Sequence, residues 1–132
     1  MPLGEGQFDR TRWSPDGRRI VFTRDLGPGF DVGIANADGS GLRMLTNDIP
    51  WDTDARWSAD GNSIAVRTAR AGNFDVGVID VATGEMRIVT KPVNNDVFID
   101  WMPDGSGVVA ASGDYSHKLV TVRVDKLLPQ AK

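Results

Sequence analysis

A period of 44 residues constrains this chain more than any other feature. Trp13-Ser14-Pro15-Asp16-Gly17 returns without a gap as Trp57-Ser58-Ala59-Asp60-Gly61, and again as Trp101-Met102-Pro103-Asp104-Gly105. Each motif leads into a β-prone run: Ile20-Val21-Phe22-Thr23, Ile64-Ala65-Val66-Arg67 and Val108-Val109-Ala110-Ala111. Phe30-Asp31-Val32-Gly33-Ile34 reappears as Phe74-Asp75-Val76-Gly77-Val78, and Arg43-Met44-Leu45-Thr46 as Arg87-Ile88-Val89-Thr90. Agreement at so many positions in constant register means that one small unit is built several times over. The 132 residues have room for three such units.

Within a unit the chemistry reads as four short antiparallel strands, placed in the first unit at 8–13, 19–24, 30–36 and 42–46. Ser-Pro-Asp-Gly is a hairpin turn: proline presets φ, aspartate bonds back to the turn backbone, and glycine takes the left-handed position. Closely spaced turn signals between short strands predict an all-β fold, and no sustained helical period competes with it. A four-stranded unit of this length has the size of a propeller blade. The expected organisation is one three-bladed segment over 1–132, with blades at about 8–50, 51–94 and 95–132. In the third blade, 118–125 supplies the third strand. Lys126-Leu127-Leu128-Pro129 resembles Arg43-Met44-Leu45-Thr46 but lacks the turn before it, so the outer strand is either displaced or absent.

The Trp-Ser-Pro-Asp-Gly turn with its Ile-x-Phe strand, followed by Asp-Val-x-Ile and Arg-x-Leu-Thr, resembles the blade repeat of TolB-like β-propellers. It is similar, too, to the repeat in the N-terminal propellers of prolyl-oligopeptidase-type and tricorn-type proteases. The resemblance covers residues 8 to about 125. It implies a fold and little about activity, because one fold hosts many functions. Such propellers commonly have six blades, and three blades do not close a ring. An open arc exposes an apolar flank at each end, and such surfaces mark association sites. The expected assembly is therefore a homodimer, each chain half of a six-bladed ring, with blade three of one on blade one of the other.

Composition removes several function classes. Fifteen basic against 18 acidic residues give a net charge of −3, which offers no electrostatic footprint for nucleic acid or an anionic membrane. No apolar run approaches the roughly 18 residues of a membrane span. Without cysteine there is no disulfide, thiolate nucleophile or zinc–thiolate site, and one histidine leaves little other metal chemistry. No Gly-x-Ser-x-Gly elbow occurs. No catalytic group, cofactor or metal is expected. Met1-Pro2-Leu3-Gly4-Glu5-Gly6 shows neither a basic nor an apolar leader region, which predicts cytoplasmic production of this chain. The resemblance implies the periplasm instead if the blades belong to a TolB-like parent.

Candidate site residues fall in two places. Asp52 and Asp54 enter the innermost strand of blade two, two residues apart and so on one side of a regular strand. Their equivalents are Phe8 and Arg10 in blade one, and Asp96 and Phe98 in blade three. Arg10, Asp52, Asp54, Asp96 and Phe98 are thus the channel candidates, as a polar pocket or as Arg–Asp pairs along a water-filled channel. The loops of one face carry the second group, Trp51, Arg70, Tyr115 and His117. Trp51 stands outside the repeat motif; it is either an interaction hot spot or a plug between blades. The three motif tryptophans are assigned to packing between blades, and Asp16, Asp60 and Asp104 to their own turns. Three functions remain open: a non-catalytic, self-assembling scaffold or protein-interaction module; a ligand- or ion-binding or enzymatic propeller with its site in the assembled channel; and a fragment, natural or engineered, of a longer propeller.

Overall fold

The computed structural model describes residues 7–25, 29–47, 51–69, 74–89, 96–112 and 118–123. Three antiparallel sheets follow one another along the chain. The first contains β1 (Gln7–Trp13), β2 (Arg19–Asp25), β3 (Phe30–Asn36) and β4 (Arg43–Met44), paired in that order. The second repeats it with β5 (Asp52–Trp57), β6 (Ser63–Thr68), β7 (Asp75–Asp80) and β8 (Met86–Ile88). The third contains β9 (Asp96–Trp101), β10 (Gly107–Ser112) and β11 (Lys118–Arg123). No helix occurs among the described residues. The segment Lys126–Pro129, read as a possible outer strand of blade three, lies outside them.

The motif turns hold themselves closed. In the first, the Ser14 N–H donates to the Arg19 carbonyl at 2.8 Å and the Gly17 N–H to the Ser14 carbonyl at 2.9 Å. The Ser14 hydroxyl accepts from the Arg19 N–H at 3.0 Å and donates to Asp16 at 2.6 Å. Ser58 and Asp60 repeat this set in blade two. Gly17, Gly61 and Gly105 have φ of 70°, 74° and 74°, the left-handed conformation in which a side chain is strained.

Asp31 and Thr46, whose spacing recurs as Asp75 and Thr90, fasten the outer strand of blade one. Thr46 Oγ1 accepts from the Val32 N–H at 2.9 Å and donates to Asp31 at 3.0 Å, with both side chains buried. The Leu45 N–H reaches the Val32 carbonyl at 2.8 Å, as the Val89 N–H reaches that of Val76 at 2.8 Å. Gly33 between them leaves room for the Phe22 ring: a Cβ there would stand 2.6 Å from Phe22 Cζ.

Alternation along the strands sends neighbouring residues to opposite flanks of a blade. Val21, Val32, Ile34 and Leu45 of blade one share a buried cluster with Ala55, Trp57, Ile64, Val66, Ile79 and Val81 of blade two. Their 44-residue equivalents, Ala65, Val76, Val78 and Val89, face Val108 and Ala110 of blade three, with Trp101 against them. Each fully buried Val or Ile contributes about 1.5–3 kcal/mol relative to an exposed one. The core is therefore made between blades, and a single blade has little of its own.

Blade three departs from the repeat in the register of β11. Ile20 pairs with Ala35 and Ile64 with Ile79, but Val108 pairs with Val122, one residue earlier than the period requires. The connection from β10 to β11 is thus one residue shorter, and it shifts β11 against the 44-residue register.

Candidate functional site

The tryptophans of the second and third turn motifs tie their blade to the one before it. Trp57 is only 9 % exposed, and its indole N–H donates to the Arg12 carbonyl at 3.2 Å. Trp101 repeats the bond to the Arg56 carbonyl at 2.9 Å. Trp13, the first of the series, is 63 % exposed. Thr11, Arg12, Trp13, Ile20 and Ala37 line an open cleft on that flank of blade one. Their equivalents in blade two, Ala55, Trp57, Ile64 and Val81 among them, are the residues buried against blade one.

Arginines reinforce the first junction. Arg19 lies over the Trp57 ring at 4.8 Å and donates to the Gly61 carbonyl at 3.1 Å. Arg43 donates to the Val81 carbonyl. Both line a polar cleft across this junction together with Asp60 and Asp80. Arg19 is marked in the sequence only as a break in the repeat, its equivalents being Ser63 and Gly107.

Along the innermost strands, Arg10 donates to Asp54, an ion pair between blades one and two with side chains 53 % and 22 % exposed. Both residues have positive φ, 53° and 54°, at bulges that interrupt the β1–β2 and β5–β6 registers. The bulge re-aims the side chain. Asp52 and Asp54 consequently do not share one side of a regular strand: Asp52 is fully buried, paired through its backbone with Thr68, while Asp54 reaches Arg10. Asp96 and Phe98 stand on β9, which carries its own irregularity between Ala111 and Ser112 of its partner strand.

Trp51 is 46 % exposed and meets the half-buried Phe30 edge to face, with centroids 4.8 Å apart. It therefore touches blade one through Phe30 and leaves nearly half of its surface to solvent. Arg70, Tyr115 and His117 lie outside the described residues. The motif aspartates serve their turns. The Ser58 hydroxyl, then the Asn62 N–H, hold the Asp60 carboxyl below its ordinary pKa; Ser14 and Arg18 do the same for Asp16. Among the described residues no group of three or more His, Asp or Glu could hold a metal ion.

No family model matches the chain. It is 49 % identical over 43 residues, about one repeat, to the Tol-Pal system protein TolB of Gluconobacter oxydans, covering 33 % of this chain and 10 % of that one. The structure of a putative TolB from Agrobacterium tumefaciens superposes with a TM-score of 0.73 at 23 % identity, over 85 % of this chain and 41 % of that one. A puromycin hydrolase superposes with a TM-score of 0.73 at 21 % identity, over 92 % of this chain and 21 % of that one. The chain thus spans less than half the length of these proteins. Its motifs, its antiparallel sheets and these likenesses agree: the chain is built of TolB-like β-propeller blades.

Proposed function

We propose that this chain is a non-catalytic module whose open arc of blades closes into a ring by homo-oligomerisation, serving as a scaffold or a protein-interaction surface. One observation carries the reading. Trp13 is exposed on a flank whose counterpart, around Trp57, is buried under a neighbouring blade. Among the described residues, those with marked chemistry are otherwise engaged in turns, blade ties and strand pairing. Light scattering or native mass tests it: a closed pair has twice the 14.3 kDa of one chain. A folded sample with the mass of one chain overturns it.

Two other readings have an observation each. The partial coverage of longer proteins favours a piece of a larger TolB-like or peptidase propeller, in which further blades of the same polypeptide cover the flank and which, for a TolB-like parent, works in the periplasm. The Arg10–Asp54 pair on strained backbone favours a ligand or ion in the assembled channel. Binding lost on Asp54→Ala, with the ring intact, would establish the latter.

A further inference from the structure

The contact that closes the ring can be read from the two junctions already formed. The acceptors for Trp57 and Trp101 are the backbone carbonyls of Arg12 and Arg56. The third member of that series is Asp100, 44 residues after Arg56 and at the exposed end of the described blades. The donor without a blade is Trp13. The chain therefore holds both halves of one unmade junction, an indole donor at its first blade and a carbonyl acceptor at its last. Within one chain Trp13 is exposed, and β1 and β9 each pack against β5.

Resting on the reading that copies of this chain close the ring, we infer that Trp13 of one copy inserts beside β9 of a second copy and donates its indole N–H to the Asp100 carbonyl there. A head-to-tail contact that is used twice around a two-fold axis closes instead of growing. The surface that receives Trp13 is the flank on which Val109 stands. Its equivalents, Val21 and Ala65, pack against the next blade, whereas Val109 remains half-buried. The repeat thus specifies the occupant of the Trp13 flank as a blade of this same kind, and blade three of a second copy has the matching position.

At this junction the Arg19 contact is absent. The position of Arg19 is occupied by Gly107 in blade three. No guanidinium from that position covers the Trp13 ring, and the tie itself is a neutral hydrogen bond from an indole N–H to a main-chain carbonyl. That tie is accordingly insensitive to salt, since screening acts on charges.

The test uses the intact 132-residue chain by sedimentation at several concentrations, in low and high salt. Trp13→Ala is the informative variant because the side chain is exposed in the single chain and its removal leaves the blade cores untouched. The expected result is a rise of roughly thirtyfold or more in the dimer dissociation constant, the scale of an interface hot spot, with unchanged circular dichroism. A second measurement exploits the absence of cysteine. Thr11→Cys and Asp100→Cys chains, mixed and treated with a short bifunctional thiol reagent, are expected to give a mixed dimer, and neither variant alone to link as fast. A dimer unaffected by Trp13→Ala and not linked in the mixture overturns this contact while leaving self-assembly standing. A monomeric wild-type chain overturns both.

Discussion

The indole N–H of Trp57 donates across 45 positions to the backbone carbonyl of Arg12, 3.2 Å away, and Arg19 caps the same ring from blade one. A ring that both fills a core and satisfies a main-chain acceptor is doubly sensitive to replacement. Trp57→Phe keeps most of the apolar area but leaves the carbonyl without its donor, and is expected to cost about 1–2 kcal/mol in urea denaturation. Trp13→Phe, at an exposed ring, is expected to leave single-chain stability unchanged. Equal losses for the two variants would refute the tie.

Thr46 is predicted to matter more than its small side chain implies. It links the Val32 N–H to the buried Asp31 carboxylate. Thr46→Val keeps the shape and removes both bonds, leaving buried polar groups short of a partner, with an expected loss of about 1–3 kcal/mol. Thr46→Ser restores the hydroxyl and is expected to recover most of it, as read from the thermal midpoint.

The two strand glycines separate a rigid neighbour from a flexible one. A Cβ at Gly33 meets the Phe22 ring at 2.6 Å, backed by Met44; at Gly77 it meets only Met86 Sδ at 2.8 Å and Cγ at 3.1 Å closely. An aromatic ring packed in a core cannot retreat as a thioether can. Gly33→Ala is expected to cost about 1–3 kcal/mol, and Gly77→Ala less; the reverse order by denaturation would contradict this packing.

Acid is expected to loosen the turns. The Asp60 pKa is lowered from 3.8 in the folded chain, first by the Ser58 hydroxyl and then by the Asn62 N–H. A depressed carboxyl pKa stabilises the fold above the unfolded value, and that contribution is lost as pH falls through the folded value. The window therefore lies below pH 3.8. Ser58→Ala is expected to raise the Asp60 pKa toward its ordinary value in an NMR titration and to flatten this limb of the stability curve.

At the Arg10–Asp54 pair, Asp54→Gly offsets two effects. It removes an ion pair that is partly exposed, worth under about 1 kcal/mol, and it relieves a left-handed backbone costing a comparable amount. Near-neutral stability is expected, whereas Asp54→Val, which keeps the strain and loses the pair, is expected to lower the melting temperature.

The strands, turns and blade order follow from the 44-residue period because each rests on local chemistry repeated in register. The bulges at Arg10 and Asp54 were not legible: neither residue is a glycine, and the alternation rule that placed Asp52 and Asp54 together assumes an unbroken strand. The Asp31–Thr46 bond joins two repeated motifs, yet spacing alone does not say which side chains meet across a hairpin. Trp13 was grouped with Trp57 and Trp101 by sequence, and separates from them because burial depends on a neighbouring blade that sequence position cannot supply.

The acceptor of Trp57 and of Trp101 is a main-chain carbonyl, at Arg12 and at Arg56, so it would be present whatever side chain stood there. A duplicated blade can consequently dock on its parent without any compensating substitution in the receiving strand. Gene duplication alone lengthens such an arc, and rings of different origin and number become reachable by copying one unit.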